Sequence, residues 1–255
     1  MREAPVTPNG DRIRWVEIPG TGPARLYLHG LGASSPVYFA AAAVHPLLAG
    51  RRSLLLDLLG FGISDRPADF SYTLEAHADA VATALDAAGV TGVEVVAHSM
   101  GGSVAIVLAY RHPHLVSRLV LVDSNLDPIT PTRRPGSSGI ATFTEEEFLT
   151  GGLQEVQQWV GPFWWSTMRL AGPEALHRTA VHGTRGTVPT MREMLLELDV
   201  PRAFLYPEAD GELLGEERLR EAGVVVTAIP DSGHNIMFDN PDDFAKAVAE
   251  TLGSY

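Results

Sequence analysis

The chain has 255 residues, 19 basic and 31 acidic side chains, a formal charge of −12 and no cysteine. The excess of negative charge argues against nucleic acid and against an anionic membrane surface as partners. The absence of thiols excludes disulfides, thiolate catalysis and cysteine metal sites. A chain of this length can bury a substantial core, as one large α/β domain or two small ones.

Residues 1 to 10 are polar with two prolines and lack the basic stretch and apolar core of a secretory signal, so a cytoplasmic protein is expected. No apolar run approaches the length of a membrane span. Asn9-Gly10 is a turn signal, and the alternation that places Ile13 and Trp15 on one side predicts an antiparallel hairpin between Val6 and Ile18. Beyond the loop Pro19 to Pro23, Arg25-Leu26-Tyr27-Leu28 predicts a short buried strand ending in His29-Gly30-Leu31-Gly32, and a helix follows from about Pro36 to Leu48. Ser53 to Asp57 is a second buried strand, leading into the glycine-containing loop Leu58 to Asp65. Thr73 then caps a helix with the apolar face Leu74, Ala78, Val81, Leu85 and Ala88, which Gly89 ends.

Val93, Val95 and Val96 predict a strand covered on both faces, and Val104 to Tyr110 a buried helix. Ser99 stands at the bend between them. Small residues at Ala97 and Gly101 let the two backbones approach, which pushes the Ser99 hydroxyl out at the strand end. The first N–H of the helix, at Met100, lacks an intrahelical acceptor and points at negative charge. Arg118 to Asp123 is a further strand. The alternation of strand and helix from Arg25 to Asp123 implies an α/β fold: a mostly parallel sheet with helices on both faces and right-handed crossovers.

From Ser124 to about Val200 the rhythm breaks into a stretch rich in proline, glycine and arginine, with helical patches at Glu145 to Phe148 and Met191 to Leu196. The sheet resumes at Arg202 to Tyr206 and Val224 to Ile229, and the chain closes on a helix carrying Phe244, Val248 and Leu252. The expected organisation is a core of residues 1–123 and 201–255 with a helical insertion at 124–200.

Ala97-His98-Ser99-Met100-Gly101 resembles the Gly-x-Ser-x-Gly elbow of the α/β-hydrolase family, with Ala97 in place of the first glycine. The resemblance implies that fold, a serine nucleophile at Ser99 and the order serine, acid, histidine. His234, in Asp231-Ser232-Gly233-His234-Asn235 just past the last strand, resembles the family's Gly-His loop and is the expected base. The acid is open. Pro207-Glu208-Ala209-Asp210 resembles the Gly-x-x-Asp turn and makes Asp210 the first choice, while Asp123 stands where other members supply the acid, and Glu208 is a third option. His29-Gly30-Leu31-Gly32 resembles the His-Gly motif, which makes the N–H groups of Leu31 and Met100 the two oxyanion donors, with His29 supporting the loop. Asp57, Gly60, Gly62, Ser64 and Asp65 also match a family pattern and are read as shaping their loop.

In this architecture the insertion usually covers the site as a cap, and here it carries Phe143, Phe148, Trp159, Phe163, Trp164, Trp165 and Met168. Most of these are expected to pack the cap. Trp164 or Trp165 is the side chain expected to touch substrate, since neighbours on a helix cannot both face the cap's interior. Arg169, Arg178 and Arg185 are expected to be solvated. The expectation is a serine esterase acting on a small to medium apolar carboxylic ester, with no cofactor and no metal. The same machinery would open lactones, cleave carbon–carbon bonds or make peracids, and a ligand-binding receptor on this fold would keep the residues with little turnover.

Overall fold

A computed structural model describes residues 1–133 and 136–253. Eight strands form one sheet in the order β1-β2-β4-β3-β5-β6-β7-β8: β1 (Arg2–Pro5), β2 (Arg12–Ile18), β3 (Thr21–Leu28), β4 (Arg51–Asp57), β5 (Val93–His98), β6 (Val116–Val122), β7 (Arg202–Pro207) and β8 (Val224–Ile229). The β1–β2 hairpin and the β2–β4 pair are antiparallel, and the other five pairings are parallel. Gly10, at φ +88°, makes the hairpin turn expected of Asn9-Gly10.

The helices of the main body are α1 (Ser35–Ala43), α2 (Leu74–Ala87) and α3 (Met100–Arg111). Between β6 and β7 come α4 (Glu145–Glu147), α5 (Leu153–Trp159), α6 (Gly161–Met168), α7 (Pro173–Arg185) and α8 (Met191–Glu197), and the chain ends with α9 (Glu216–Glu221), α10 (Ile236–Asp239) and α11 (Pro241–Leu252). Thr73 Oγ1 accepts the Ala76 N–H, so α2 starts where its cap was expected. Thr144 with Glu147, and Thr190 with Glu193, form capping boxes that start α4 and α8. Helix α1 stops at Ala43, short of the expected Leu48, because Pro46 disfavours helical geometry at His45.

Strand alternation separates the two faces of the sheet. Leu26, Leu28, Leu54, Leu56, Val95, Leu119 and Leu121 join one buried cluster with α2 and α3, while Tyr27, Leu55, Val96, Val120 and Val122 join the other with α1 and α11. Phe143, Phe148, Val156, Met168 and Leu176 of the inserted segment belong to the first cluster, so those helices share the apolar core of the sheet. Arg178 fastens the segment further, bonding Glu145 and the carbonyls of Ala68 and Phe70. Arg169 and Arg185 are exposed. Register brings Leu28 opposite Ala97, Ala97 opposite Leu121 and Val122 opposite Leu205, so the loops after β3, β5, β6 and β7 emerge along one edge.

Candidate active site

Ser99 links β5 to α3 with φ 53° and ψ −125°. Such a conformation costs a non-glycine residue of order 1–3 kcal/mol and persists only where surrounding contacts enforce it. Those contacts are visible. The Ser99 N–H donates to Val122 O at 2.9 Å and its own carbonyl accepts from Gly102 N–H at 2.9 Å. A Cβ added at Gly102 would lie 1.8 Å from Ser124 Oγ, and one at Gly30 would lie 3.1 Å from Ser99 Cβ. Ala97, the departure from the family pattern, is fully buried in the α2–α3 cluster, which accommodates its methyl.

Among the described residues the two expected oxyanion donors are free of other duties. Neither Met100 N–H nor Leu31 N–H donates to a backbone carbonyl among the described residues. His29 fixes the Leu31 loop. Its Nε2 accepts the Leu58 N–H at 3.1 Å, which leaves Nδ1–H to donate to Gly30 O at 2.7 Å. Burial pushes its pKa down, against the pull of Asp57 and the Gly30 carbonyl, so the ring stays neutral. Asp57 accepts from Ser34 Oγ, Ser35 N–H and Ile63 N–H, and a Cβ at Gly62 would lie 1.8 Å from its Oδ2. These residues shape the loop, as expected.

His234 sits in the loop after β8, where Ser232 Oγ donates to Ile229 O, Gly233 N–H to Asp239 and Asn240 Nδ2 to Pro230 O. Its Nδ1 lies 2.6 Å from Asp123 Oδ2. The expectation that Asp210 orients this ring is therefore corrected. Asp210 lies on the exposed turn Glu208–Asp210 and makes no hydrogen bond to His234, and neither does Glu208. Asp123 reaches the ring because it leaves β6 at φ 44°, with its N–H held by Leu205 O at 2.8 Å. Among the described residues Ser99 Oγ makes no hydrogen bond to His234, a contact that often tightens only in the complex with substrate.

Trp164 Nε1 donates to Leu31 O at 2.8 Å, so α6 is bonded directly to the loop after β3. Trp164 and Trp165 are both half-buried against the main cluster. Phe163 is 49% and Phe238 37% exposed; they meet edge to face at 5.2 Å, and Tyr38 touches both. Phe238 and the ring of His98, which contacts Tyr38 and His234, were not picked out by sequence reasoning. The available signals were Phe238's place four residues after His234 and His98's place inside the elbow itself. No group of three or more histidine, cysteine, aspartate or glutamate side chains suited to a metal occurs among the described residues. Among them, too, no helix is long and apolar enough to cross a membrane.

A strained serine between a parallel strand and a helix, with a histidine–aspartate pair on neighbouring loops, is the architecture of an α/β-hydrolase. The family model for the alpha/beta hydrolase fold matches residues 26–230, and the chain belongs to that family. The sn-1-specific diacylglycerol lipase ABHD11 of Mus musculus is 28% identical over 265 residues, covering 91% of this chain and 81% of that protein. The 2-hydroxymuconate semialdehyde hydrolase of Pseudomonas putida is 40% identical over 105 residues, 41% of this chain and 37% of its own length. An uncharacterized protein of Mycobacterium tuberculosis is 42% identical over a stretch that spans 32% of its length. Among solved structures, an esterase of Exiguobacterium antarcticum superposes with a TM-score of 0.79 at 20% identity over 98% of each chain. The enol-lactonase of Burkholderia xenovorans LB400 gives 0.79 at 20% identity over 99% of this chain and 100% of its own. At that identity the structural likeness speaks for the shared fold.

Proposed function

We propose that this protein is a serine hydrolase that cleaves a small to medium apolar carboxylic ester through an acyl-enzyme. Ser99 Oγ attacks the carbonyl carbon while His234 Nε2 takes its proton; the tetrahedral oxyanion is received by the N–H groups of Met100 and Leu31. As the intermediate collapses, the same proton passes from His234 to the leaving alkoxide. Water then repeats the sequence on the acyl-enzyme, releasing the acid and free Ser99. Asp123 holds the imidazole with Nδ1–H towards it and stabilises the imidazolium. The observation that carries this reading is the Nδ1 to Oδ2 contact of 2.6 Å between His234 and Asp123, on loops beside a serine forced to positive φ.

The apolar preference is supported by Phe163 and Phe238, two exposed aromatic side chains joined through Tyr38 to the ring of His98, which in turn touches His234. A second reading, a lactone opened by the same residues, is favoured by the likeness to the enol-lactonase of Burkholderia xenovorans LB400.

The experiment is intact mass after a fluorophosphonate probe, with the label mapped to a peptide. Labelling at Ser99 that is lost in Ser99→Ala and suppressed in His234→Ala supports the proposal, and labelling elsewhere or not at all refutes it. Turnover of short aliphatic, aromatic and long-chain esters and of an acyl lactone then assigns the substrate class. Equally poor turnover of all of them, with ligand-induced stabilisation, would favour the receptor.

A further inference from the structure

His98 immediately precedes Ser99 at the end of β5, and its side chain is 97% buried, with a relative exposure of only 3%. Its Nε2 lies 2.8 Å from the carbonyl oxygen of His234. A carbonyl only accepts, so Nε2 carries the proton and donates. The neutral ring then holds a lone pair at Nδ1, which has no hydrogen-bond partner among the described residues. That lone pair faces the oxyanion loop: a Cβ on Gly30 would lie 3.1 Å from His98 Nδ1. The ring is clamped by its neighbours. Its centroid is 4.6 Å from that of His234 and 6.0 Å from that of Tyr38, which stacks on it at 28°. Tyr38 in turn packs on Phe163 of α6, ring centroids 5.8 Å apart.

The other bonds of the His234 loop involve Pro230, Ser232, Gly233 and Asn235. Among the described residues, two involve His234 itself: Asp123 at the side chain and His98 at the main chain. One fixes the rotation of the imidazole and the other fixes the peptide from which it projects. Both anchors stand beside Ser99, His98 through the chain and Asp123 through the Val122 carbonyl that accepts the Ser99 N–H. We propose that His98 is a positioning residue whose Nε2–H holds the peptide of His234, and with it the imidazole, in reach of Ser99. Burial and the neighbouring His234 ring both keep His98 uncharged, so it does not repel the imidazolium that forms on His234. The inference rests on the reading of Ser99 and His234 as nucleophile and base.

The test compares wild type, His98→Phe and His98→Gln by the rate of fluorophosphonate labelling, with melting temperature measured alongside. His98→Phe keeps the packing and removes the donor. It should slow the maximal labelling rate by roughly 10- to 100-fold, the scale of a misplacement near 1 Å, with little change in the half-saturating probe concentration. His98→Gln places an N–H₂ at similar reach and should recover most of that rate. Labelling of His98→Phe at the wild-type rate overturns the inference, as does an equal loss in His98→Gln. Should the Phe variant fail to fold, ¹⁵N-histidine NMR of the wild-type protein decides. It should show His98 as the Nε2–H tautomer with no titration near 6.5, and an Nδ1–H tautomer or an ordinary midpoint overturns the inference. A wild-type protein that takes no label overturns the serine-nucleophile reading itself and this inference with it. That outcome is distinct, because the three proteins then behave alike.

Discussion

Gly101 and His29 are in contact through their backbones: a Cβ built on Gly101 would lie 2.4 Å from the carbonyl oxygen of His29 and 2.8 Å from that of Leu28. The first turn of α3 thus runs against the end of β3, which brings the loop carrying Leu31 beside the helix start carrying Met100. Gly101→Ala forces these backbones apart. Overpacking of this kind costs about 1–3 kcal/mol. The expected result is a melting temperature lower by several degrees and a larger proportional loss of labelling at Ser99, measured on the same samples. Unchanged labelling would count against Met100 and Leu31 N–H as the proposed pair of oxyanion donors.

Asp123→Asn should lower turnover by about 10⁴-fold, because the amide offers an N–H to His234 Nδ1 and favours the wrong tautomer. Asp210→Asn should leave turnover near wild type, since Asp210 sits on an exposed turn without a bond to the imidazole. Steady-state kinetics on a chromogenic ester separate the two. The reverse ranking would return the acid to β7.

Trp164→Phe removes the indole N–H that holds Leu31 O. Global stability should fall by only about 0.5–1.5 kcal/mol, the net worth of one hydrogen bond. Activity should fall further, by roughly tenfold, as a loosened Leu31 loop approaches the 100- to 1000-fold cost of losing an oxyanion donor. Chemical denaturation and labelling rates, compared on one preparation, check the ratio.

His77 lies among Phe61, Phe70 and Tyr72, with Nε2 on Thr179 Oγ1, and burial lowers its pKa from 6.5 to about 3. The unfolded chain therefore takes up a proton near 6.5 that the folded chain refuses until about 3. Between those values the unfolded state binds more protons, so stability is full above 6.5 and declines as the pH falls. One such group contributes a slope of at most about 1.4 kcal/mol per pH unit. His77→Phe should flatten the acid limb by up to that amount, read from urea unfolding across the window. An unchanged slope would show that His77 titrates normally.

Arg25 is fully buried and bonds Glu94 through Nε at 3.2 Å and Nη2 at 2.9 Å, with Nη1 on Leu48 O. Both residues lie in adjacent central strands, opposite each other in register. Glu94→Ala leaves a buried guanidinium without its carboxylate and should cost about 3–5 kcal/mol. A loss below about 1 kcal/mol in urea unfolding would indicate that the pair is solvated as surface pairs are.

The amino-acid order was sufficient for the features that depend on neighbours along the chain. Alternation in Leu26 to Leu28 and Val95 to Ala97 already assigns side chains to the two faces, because successive strand residues must point oppositely. Thr73 starts a helix through its own hydroxyl, and the small residues around Ser99 specify a sharp strand-to-helix turn. His234 was legible for the same reason, as the histidine of a glycine-containing loop beyond the final strand. The choice between Asp123 and Asp210 was not, since each follows a buried strand of a parallel sheet and each is a plausible turn residue. It is decided by a bond between positions 111 residues apart and by the positive φ at Asp123, which turns that carboxylate towards His234. The bond of His98 to the His234 carbonyl spans 136 residues and was invisible for the same reason. Short-range patterning fixes which elements form and where Ser99 stands, whereas the partner of an imidazole depends on which strand ends the sheet brings together and how each backbone leaves its strand.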